Sequence, residues 1–545
     1  MITKSEYFNK LGFIRDPFAS TNALHEDMLK DYFVYPDYFY SLLGSFEKPK
    51  SSIVLAPRGT GKTAQRKMIE YLSEEKDELI SIVYDSFPIE DMNDVRNITF
   101  EKHVNKIIEF LLIALLTKLD KENKSDILDE NEKKKLIKLI NNYFSGINSN
   151  EIDVAINSIK GFGDKLYDFW LKAGNSITSI INAILTKNGI GNVDFTSNTK
   201  NNKEIQNSKL VNILDFIEKI FDKLGVKSIY VLIDRVDENR LTNNDSNKSY
   251  ILIKPIISDL PLLERENIVF KFFLWDKIQE HWHDDIRTDR IEIYNMKWQL
   301  EKIKKLISER LKAFSNNKIN KLNQILNVDD YYINKIFQFS NNSPRDLINI
   351  LKQIFDYHLT VMGDGIQIPN KKSVIKGIDK FCEEKFKELV PKDKQRRELK
   401  KIKATTFTIP HLYNNIFKCK SSTARNKLMP WTRSGIVLTA DEKIKAGKKG
   451  AYVNLYTVKD LRIARNICSN EKLEDFIERN LHICEECGTI NVFDIENIYN
   501  VKRHQCHKCQ SELIGDFNTS DNMRLATSES GNQMSLNFRD DGSDN

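Results

Sequence analysis

Short apolar runs punctuate this chain, and long stretches of helical spacing lie between them. Ile53-Val54-Leu55 enters a glycine-bearing turn, Leu79 to Tyr84 ends at Asp85, Ser228 to Ile233 ends at Asp234, and Ile268 to Leu274 ends at Trp275-Asp276. Apolar, β-branched runs of this length closed by polar groups predict buried strands. A fifth strand is predicted at Ile291 to Tyr294, behind Arg287-Thr288-Asp289-Arg290. From Thr99 to about Asp222 the apolar residues recur at helical intervals, as at Ile107, Leu111, Leu115 and Leu119. Asn-, Ser- and Gly-rich loops interrupt that pattern near Asn148 and from Asn188 to Asn207, so a large helical insertion within the sheet is expected. The chain turns helical again from Trp298, and Pro344 in Ser343-Pro344-Arg345-Asp346-Leu347 suits the first turn of a helix. The fold class expected is α/β.

Length and charge add organisation to that pattern. A chain of 545 residues exceeds one hydrophobic core, so three or four domains are expected. No apolar stretch behind basic residues suggests a secretory leader. The longest apolar stretch, Ile107 to Thr117, carries Glu109 and is too short to span a bilayer. Four of the seven cysteines form two C-x-x-C pairs, which predicts a metal site in a reducing, cytoplasmic setting rather than a disulfide framework. Between Pro391 and Asn466, 19 lysines and arginines face 5 aspartates and glutamates, a net of +14 that leaves about −8 elsewhere out of the overall +6. A basic module on an acidic body points to a polyanionic partner, or to a merely solvated face.

The first predicted strand runs into Ala56-Pro57-Arg58-Gly59-Thr60-Gly61-Lys62-Thr63, and helical character follows to Leu72. That is the strand, loop and helix order of a phosphate-binding loop, in which glycines let backbone N–H groups curl around phosphate oxygens. In that reading Arg58, Gly59, Thr60 and Gly61 form the cradle, Lys62 reaches the β- and γ-phosphates, and the Thr63 hydroxyl holds Mg²⁺. The usual first glycine is Ala56 here. The strand ending in Asp234-Arg235-Val236-Asp237-Glu238 supplies the matching carboxylates. Asp234 is expected on the Mg²⁺ shell, and either Asp237 or Glu238 would orient or deprotonate an attacking water. Asp276 stands where a group sensing the γ-phosphate belongs. Residues 1–50, aromatic and proline-bearing around Asp16-Pro17-Phe18 and Tyr32 to Pro36, either flank the nucleotide base or pack the core.

This order of motifs resembles the AAA+ ATPases of the origin-recognition type and their relatives the STAND ATPases. Asp234-Arg-Val-Asp-Glu238 looks like the STAND form of the Walker B motif, Asp-x-x-Asp-Glu. Phe13-Ile-Arg-Asp-Pro-Phe18 is similar to a bacterial group of such ATPases, several of them associated with phage defence. The resemblance covers roughly residues 10 to 360. It implies ATP as ligand, Trp275/Asp276 as sensor 1, Arg345 as sensor 2 on helical lid residues, and Arg287 or Arg290 as an arginine finger. A finger completes a neighbouring subunit's site, so a homo-oligomer is implied. An arginine from another chain can stabilise charge in phosphoryl transfer.

Beyond the lid, Thr406 to Leu412 predicts a short helix and Ser421 to Leu428 the start of a second, which Trp431 to Gly435 closes. Ile436 to Leu438 and Ala451 to Tyr456 predict a hairpin with the loop Lys445-Ala-Gly-Lys448-Lys449-Gly450. This resembles a winged helix-turn-helix. Ser421, Ser422, Thr423, Arg425, Asn426 and Lys427 would lie where a groove-reading helix needs them, and Lys448 and Lys449 would meet phosphates. Cys484-Glu-Glu-Cys487 and Cys506-His-Lys-Cys509 predict a four-cysteine zinc ribbon, with His504 and His507 as nearby competitors for Zn²⁺.

The expected division is 1–50 flanking segment, 51–297 ATPase core with its insertion at about 99–222, 298–385 lid, 386–468 winged helix, 469–515 zinc ribbon and 516–545 disordered tail. The expected protein is a cytoplasmic, ATP-hydrolysing switch that binds DNA, in genome maintenance or phage defence, with no membrane partner. The alternative is a STAND-like sensor whose C-terminal modules bind a protein ligand or an effector encoded nearby.

Overall fold

The apolar runs become one sheet. In the computed structural model, which describes residues 3–513 except 91, 123–126, 146–148, 162–176, 194–206, 283–284, 362–366, 446–450 and 495–503, the sheet has six strands. They are β1 (Ser52–Ala56), β2 (Leu79–Tyr84), β3 (Ile159–Lys160), β4 (Ser228–Ile233), β5 (Ile268–Trp275) and β6 (Glu292–Asn295). The order across the sheet is β3-β2-β4-β5-β1-β6, and every pairing is parallel except that of β3 with β2. β1, β2 and β4 are buried along their whole length, which is why their sequences are continuous apolar runs rather than alternating ones.

Ala56 pairs with Trp275, so β1 and β5 finish together, and β4 ends at the same edge with Ile233 opposite Phe272. The C-terminal edge of a parallel sheet is where ligand clefts form.

The insertion is mostly helical, led by Phe100–Glu122, whose residues from Ile107 to Leu119 are buried except for Glu109. A helix apolar on nearly all sides belongs in a core, and it packs against the helix Asn207–Lys223. The insertion also supplies β3, a two-residue edge strand that the helical spacing concealed. After β5 the chain forms a short 3₁₀ turn, Asp276–His281. None of the helices among the described residues is long and apolar enough to cross a membrane.

The chain divides into two compact units, the first made of Met1–Ile325 with Asn342–Ile348, the second of Leu326–Asn341 with Asn349–Asn545. The stretch 298–385, read from sequence as one lid, therefore contributes to both. The second unit contains a three-stranded antiparallel sheet, β7 (Thr406–Thr408), β9 (Tyr452–Val458) and β8 (Val437–Lys445), in the order β7-β9-β8. The helix Ser421–Arg433 precedes β8. The first residues of the expected short helix are instead β7, because Thr406, Phe407 and Thr408 pair with Thr457, Tyr456 and Leu455. One helical turn follows at Ile409–His411, capped by the Thr408 hydroxyl. The tail beyond residue 513 and the wing loop 446–450 lie outside the described residues.

Candidate functional site

Ala56 is the last residue of β1, in extended pairing, so this position makes no demand for glycine. The turn that follows does. Gly59 has φ 79° and Gly61 φ 100°, left-handed values that side chains resist, and a Cβ on Gly59 would lie 3.1 Å from Cβ of Arg345. The helix Lys62–Glu75 then begins with no side chain capping its first turn. Lys62 Nζ donates to the carbonyls of Ala56 at 3.0 Å and Pro57 at 3.1 Å. Burial pulls its pKa below the usual lysine value, while the charges of Asp237, Asp234 and Asp276 oppose the shift. The loop is braced by Trp298, whose indole N–H donates to the Thr60 carbonyl at 2.7 Å, and by the Arg345 N–H on the Gly59 carbonyl at 3.3 Å.

Opposite the loop, β4 delivers Asp234. Its Oδ2 accepts the Thr63 hydroxyl at 2.9 Å and Arg66 Nε at 3.0 Å, and its Oδ1 accepts the N–H of Arg235 at 2.9 Å. Burial raises the Asp234 pKa above the ordinary carboxylate value, opposed first by Arg66 and then by the Thr63 hydrogen bond. Arg235 turns the chain through φ 57°, a left-handed value. Beyond that turn the two candidate water-orienting carboxylates separate. Asp237 is buried and bonded by Arg58 at 2.7 Å, whereas Glu238 is half exposed and accepts Arg235 Nε at 2.9 Å.

One cleft joins these groups. Arg58 through Thr63, Asp234, Asp237, Glu238 and Arg345 all line it, and it encloses about 1080 Å³ of space, its open mouth included. Residues 20–23, Glu26, Leu29 and residues 32–34 form another part of its wall. They are fastened by Arg310, which is buried and donates to the Pro17 carbonyl at 2.6 Å, to Glu26 at 2.5 Å, and to the Tyr32 hydroxyl. Sequence inspection singled out neither Arg66 nor Arg310. The spacing of Arg66 from Glu70 was the available hint for the first, and no local signal marks the second.

Three expected residues lie apart from this wall. Asp276 follows β5 and acts on Lys62 through its charge without lining the cleft. Arg287 is exposed and paired with Asp289 at 2.7 Å, and Arg290 is exposed and paired with Glu264 at 2.6 Å.

In the second unit the cysteines converge. The sulfurs of Cys484, Cys487, Cys506 and Cys509 all lie within 4.8 Å of one another. Cys484 and Cys509 lie 3.5 Å apart, and Cys487 and Cys506 3.6 Å. Tetrahedral zinc with Zn–S bonds of ~2.3 Å requires sulfurs about 3.8 Å apart, so the quartet fits that ion. β10 (Leu481–Ile483) and β11 (Ile490–Val492) flank the first cysteine pair as an antiparallel hairpin. The Ser511 hydroxyl, 3.0 Å from Cys484 Sγ, lowers that thiol to about 6 against the effect of burial. Neither histidine joins the quartet. His507 Nδ1 bonds Asn491 Oδ1 at 2.7 Å, and His504 stacks on Phe493 with centroids 4.2 Å apart.

On the helix Ser421–Arg433, Ser422, Arg425 and Asn426 are exposed, Ser421 is half-buried, and Lys427 is ion-paired with Glu398. Lys448 and Lys449 fall outside the described residues. A groove beside this helix is lined by Pro410, Tyr413, Arg425, Met429 and Tyr452 among others. No protein-family model matches the chain, and no curated protein matches it in sequence.

Proposed function

We propose that this protein is an ATP-binding and ATP-hydrolysing switch of the AAA+/STAND kind whose second unit carries a winged helix and a zinc ribbon that engage DNA. One observation carries the nucleotide reading. Lys62, Thr63 and Asp234 meet at the C-terminal edge of a parallel sheet, with the Thr63 hydroxyl 2.9 Å from the Asp234 carboxylate and a glycine loop above them. A hydroxyl and a carboxylate side by side are the hard oxygen donors that suit Mg²⁺. Bound there, the ion would neutralise charge between the terminal phosphates. The chain's own groups do the rest: loop N–H groups and Lys62 hold phosphates, and Asp237 or Glu238 orients water. Arg345 faces the cleft as the γ-phosphate contact.

The exposed positions of Arg287 and Arg290 suit a finger offered to a neighbouring subunit, so ATP-dependent assembly belongs to the reading. The +14 balance of residues 391–466 and the exposure of Ser422, Arg425 and Asn426 support DNA as the partner of the second unit. The commitment of Lys427 to Glu398, together with apolar groove residues such as Met429 and Tyr452, favours the second reading, a sensor that binds a protein there.

ATP turnover by wild type and Lys62→Ala, each with and without duplex DNA, tests both readings. DNA-stimulated turnover that Lys62→Ala abolishes supports the switch. Turnover indifferent to DNA, with no retention of duplex or single strands in filter binding at graded salt, removes DNA as the partner. A wild type that binds no nucleotide overturns the reading as a whole.

A further inference from the structure

Arg58 belongs to the phosphate loop, yet its guanidinium is held by the opposite motif. Its Nε lies 2.7 Å and its Nη2 2.5 Å from Oδ2 of Asp237, and its Cζ lies 4.0 Å from the ring centroid of Trp275. Asp237 is nearly closed off, with 8% of its side chain exposed, while 36% of the Arg58 side chain faces outward. The guanidinium is thus parked between a buried carboxylate and an indole with one side open to the cleft.

The other cations near the loop are differently held. Arg66 is 2% exposed and locked between Asp234 and Glu70. Lys62 hydrogen-bonds the backbone carbonyls of Ala56 and Pro57. Arg58 is the loop arginine that has both a carboxylate to leave and room to move.

We propose that Arg58 is a positioning residue for Asp237 that distinguishes a nucleoside triphosphate from a diphosphate. In the free protein it neutralises Asp237, and the terminal phosphate of a bound triphosphate draws it away from Asp237 and Trp275. This rests on the nucleotide reading above. The guanidinium fork matches carboxylate and phosphate equally well in shape, so a phosphate of higher charge competes directly for the same donors. A carboxylate whose charge is neutralised by a cation on one of its oxygens is a poorer acceptor for a water proton, and its release makes Asp237 the available base. A diphosphate seated on the same N–H groups ends one phosphate short and leaves the pair intact. The exchange is one of ion-pair partners, and no covalent bond changes in it.

Trp275 provides the readout. Tryptophan emission is titrated with ATP, a non-hydrolysable triphosphate analogue and ADP, in wild type, Trp275→Phe, Arg58→Ala and Arg58→Lys. The expected result is an emission change with either triphosphate and not with ADP, absent in Trp275→Phe. Arg58→Ala is expected to lose about tenfold in ATP affinity against at most about twofold for ADP. Arg58→Lys, which keeps the charge but not the fork, falls between. In turnover, Arg58→Ala and Asp237→Asn together are expected to lower kcat little further than Asp237→Asn alone. Equal emission changes with ATP and ADP, or equal affinity losses for both in the Arg58 variants, overturn this proposal while leaving nucleotide binding intact. A wild type that binds neither nucleotide overturns both.

Discussion

Arg66 donates to the Asp234 oxygen that also accepts the Thr63 hydroxyl, and both side chains of this ion pair are 2% exposed. Glu70 flanks Arg66 at 2.7 Å from the other side. Two carboxylates and one guanidinium are therefore buried together on the helix Lys62–Glu75 and at the end of β4. Burial by itself drives Asp234 toward its neutral form, and Arg66 is the strongest influence holding it ionised. Arg66→Met strips Asp234 of its buried cation and leaves Glu70 with Lys67 at 3.6 Å, and removing one partner of a buried pair costs about 3–5 kcal/mol. Urea unfolding is expected to show a loss of that order, with part recovered when Asp234→Asn is added. A loss under about 0.5 kcal/mol, the ordinary size of a surface change, would refute the account.

The strands around this site were legible in sequence because each is a local apolar run with a polar stop. The cysteine quartet was legible because ligand spacing is itself local. Arg66 was half legible: its helix and its spacing to Glu70 were visible, but Asp234 lies 168 positions away. Arg310 was not, since its contacts with Glu26 and Pro17 span 284 and 293 positions. β3 and β7 are two and three residues long and owe their conformation to the strands they pair with, β2 and β9. Side-chain partners reduce a cation's reach as well. Sequence treated Arg425 and Lys427 alike, and folding leaves one exposed while binding the other to Glu398.

Zinc is expected at one ion per chain by elemental analysis, bound by the quartet of Cys484, Cys487, Cys506 and Cys509. Chelation should raise the number of fast-reacting thiols by about four and loosen the hairpin β10–β11, because a structural site of this kind contributes folding free energy. Cys484→Ser should lower the zinc content. The proposed nucleotide cleft is lined by residues of the first unit, so nucleotide affinity is expected to stay within about twofold, the spread of minor effects. Full zinc occupancy in Cys484→Ser would remove the quartet from consideration as the ligand set.

His103 sets an acid limit on the first unit. Its Nε2 donates to the Leu252 carbonyl at 2.8 Å, and in the neutral ring that burial favours Nδ1 accepts from the Tyr84 hydroxyl at 2.7 Å. Burial lowers its pKa to about 4, with the Leu252 hydrogen bond opposing. A base depressed on folding stabilises the fold above its unfolded pKa, about 6.5, and that contribution disappears as pH falls toward 4. The shift corresponds to about 3 kcal/mol. Urea unfolding of wild type and His103→Gln between pH 7 and pH 4 should show the stability gap closing in acid by roughly that amount. A gap that stays constant across the range would contradict the assignment of a buried neutral ring.

Arg425 and Lys427 separate recognition from support on the proposed DNA-reading helix. Arg425 is exposed, lines the groove and is free to meet a phosphate or a base edge. Lys427 is half-buried, paired with Glu398 and 5.1 Å from the Phe417 ring, so moving it to a phosphate would break contacts within the fold. Each phosphate contact contributes about 0.9 to the slope of log affinity against log salt. Arg425→Ala is therefore expected to weaken duplex binding and to flatten that slope by about one unit. Lys427→Ala should leave the slope in place and lower the unfolding temperature instead, by releasing Glu398 and the helix it braces. Binding isotherms from about 50 to 200 mM salt, set beside melting curves for both variants, decide between the roles. If both substitutions flatten the slope equally, the Lys427–Glu398 pair opens on DNA and the helix reads its partner with both cations.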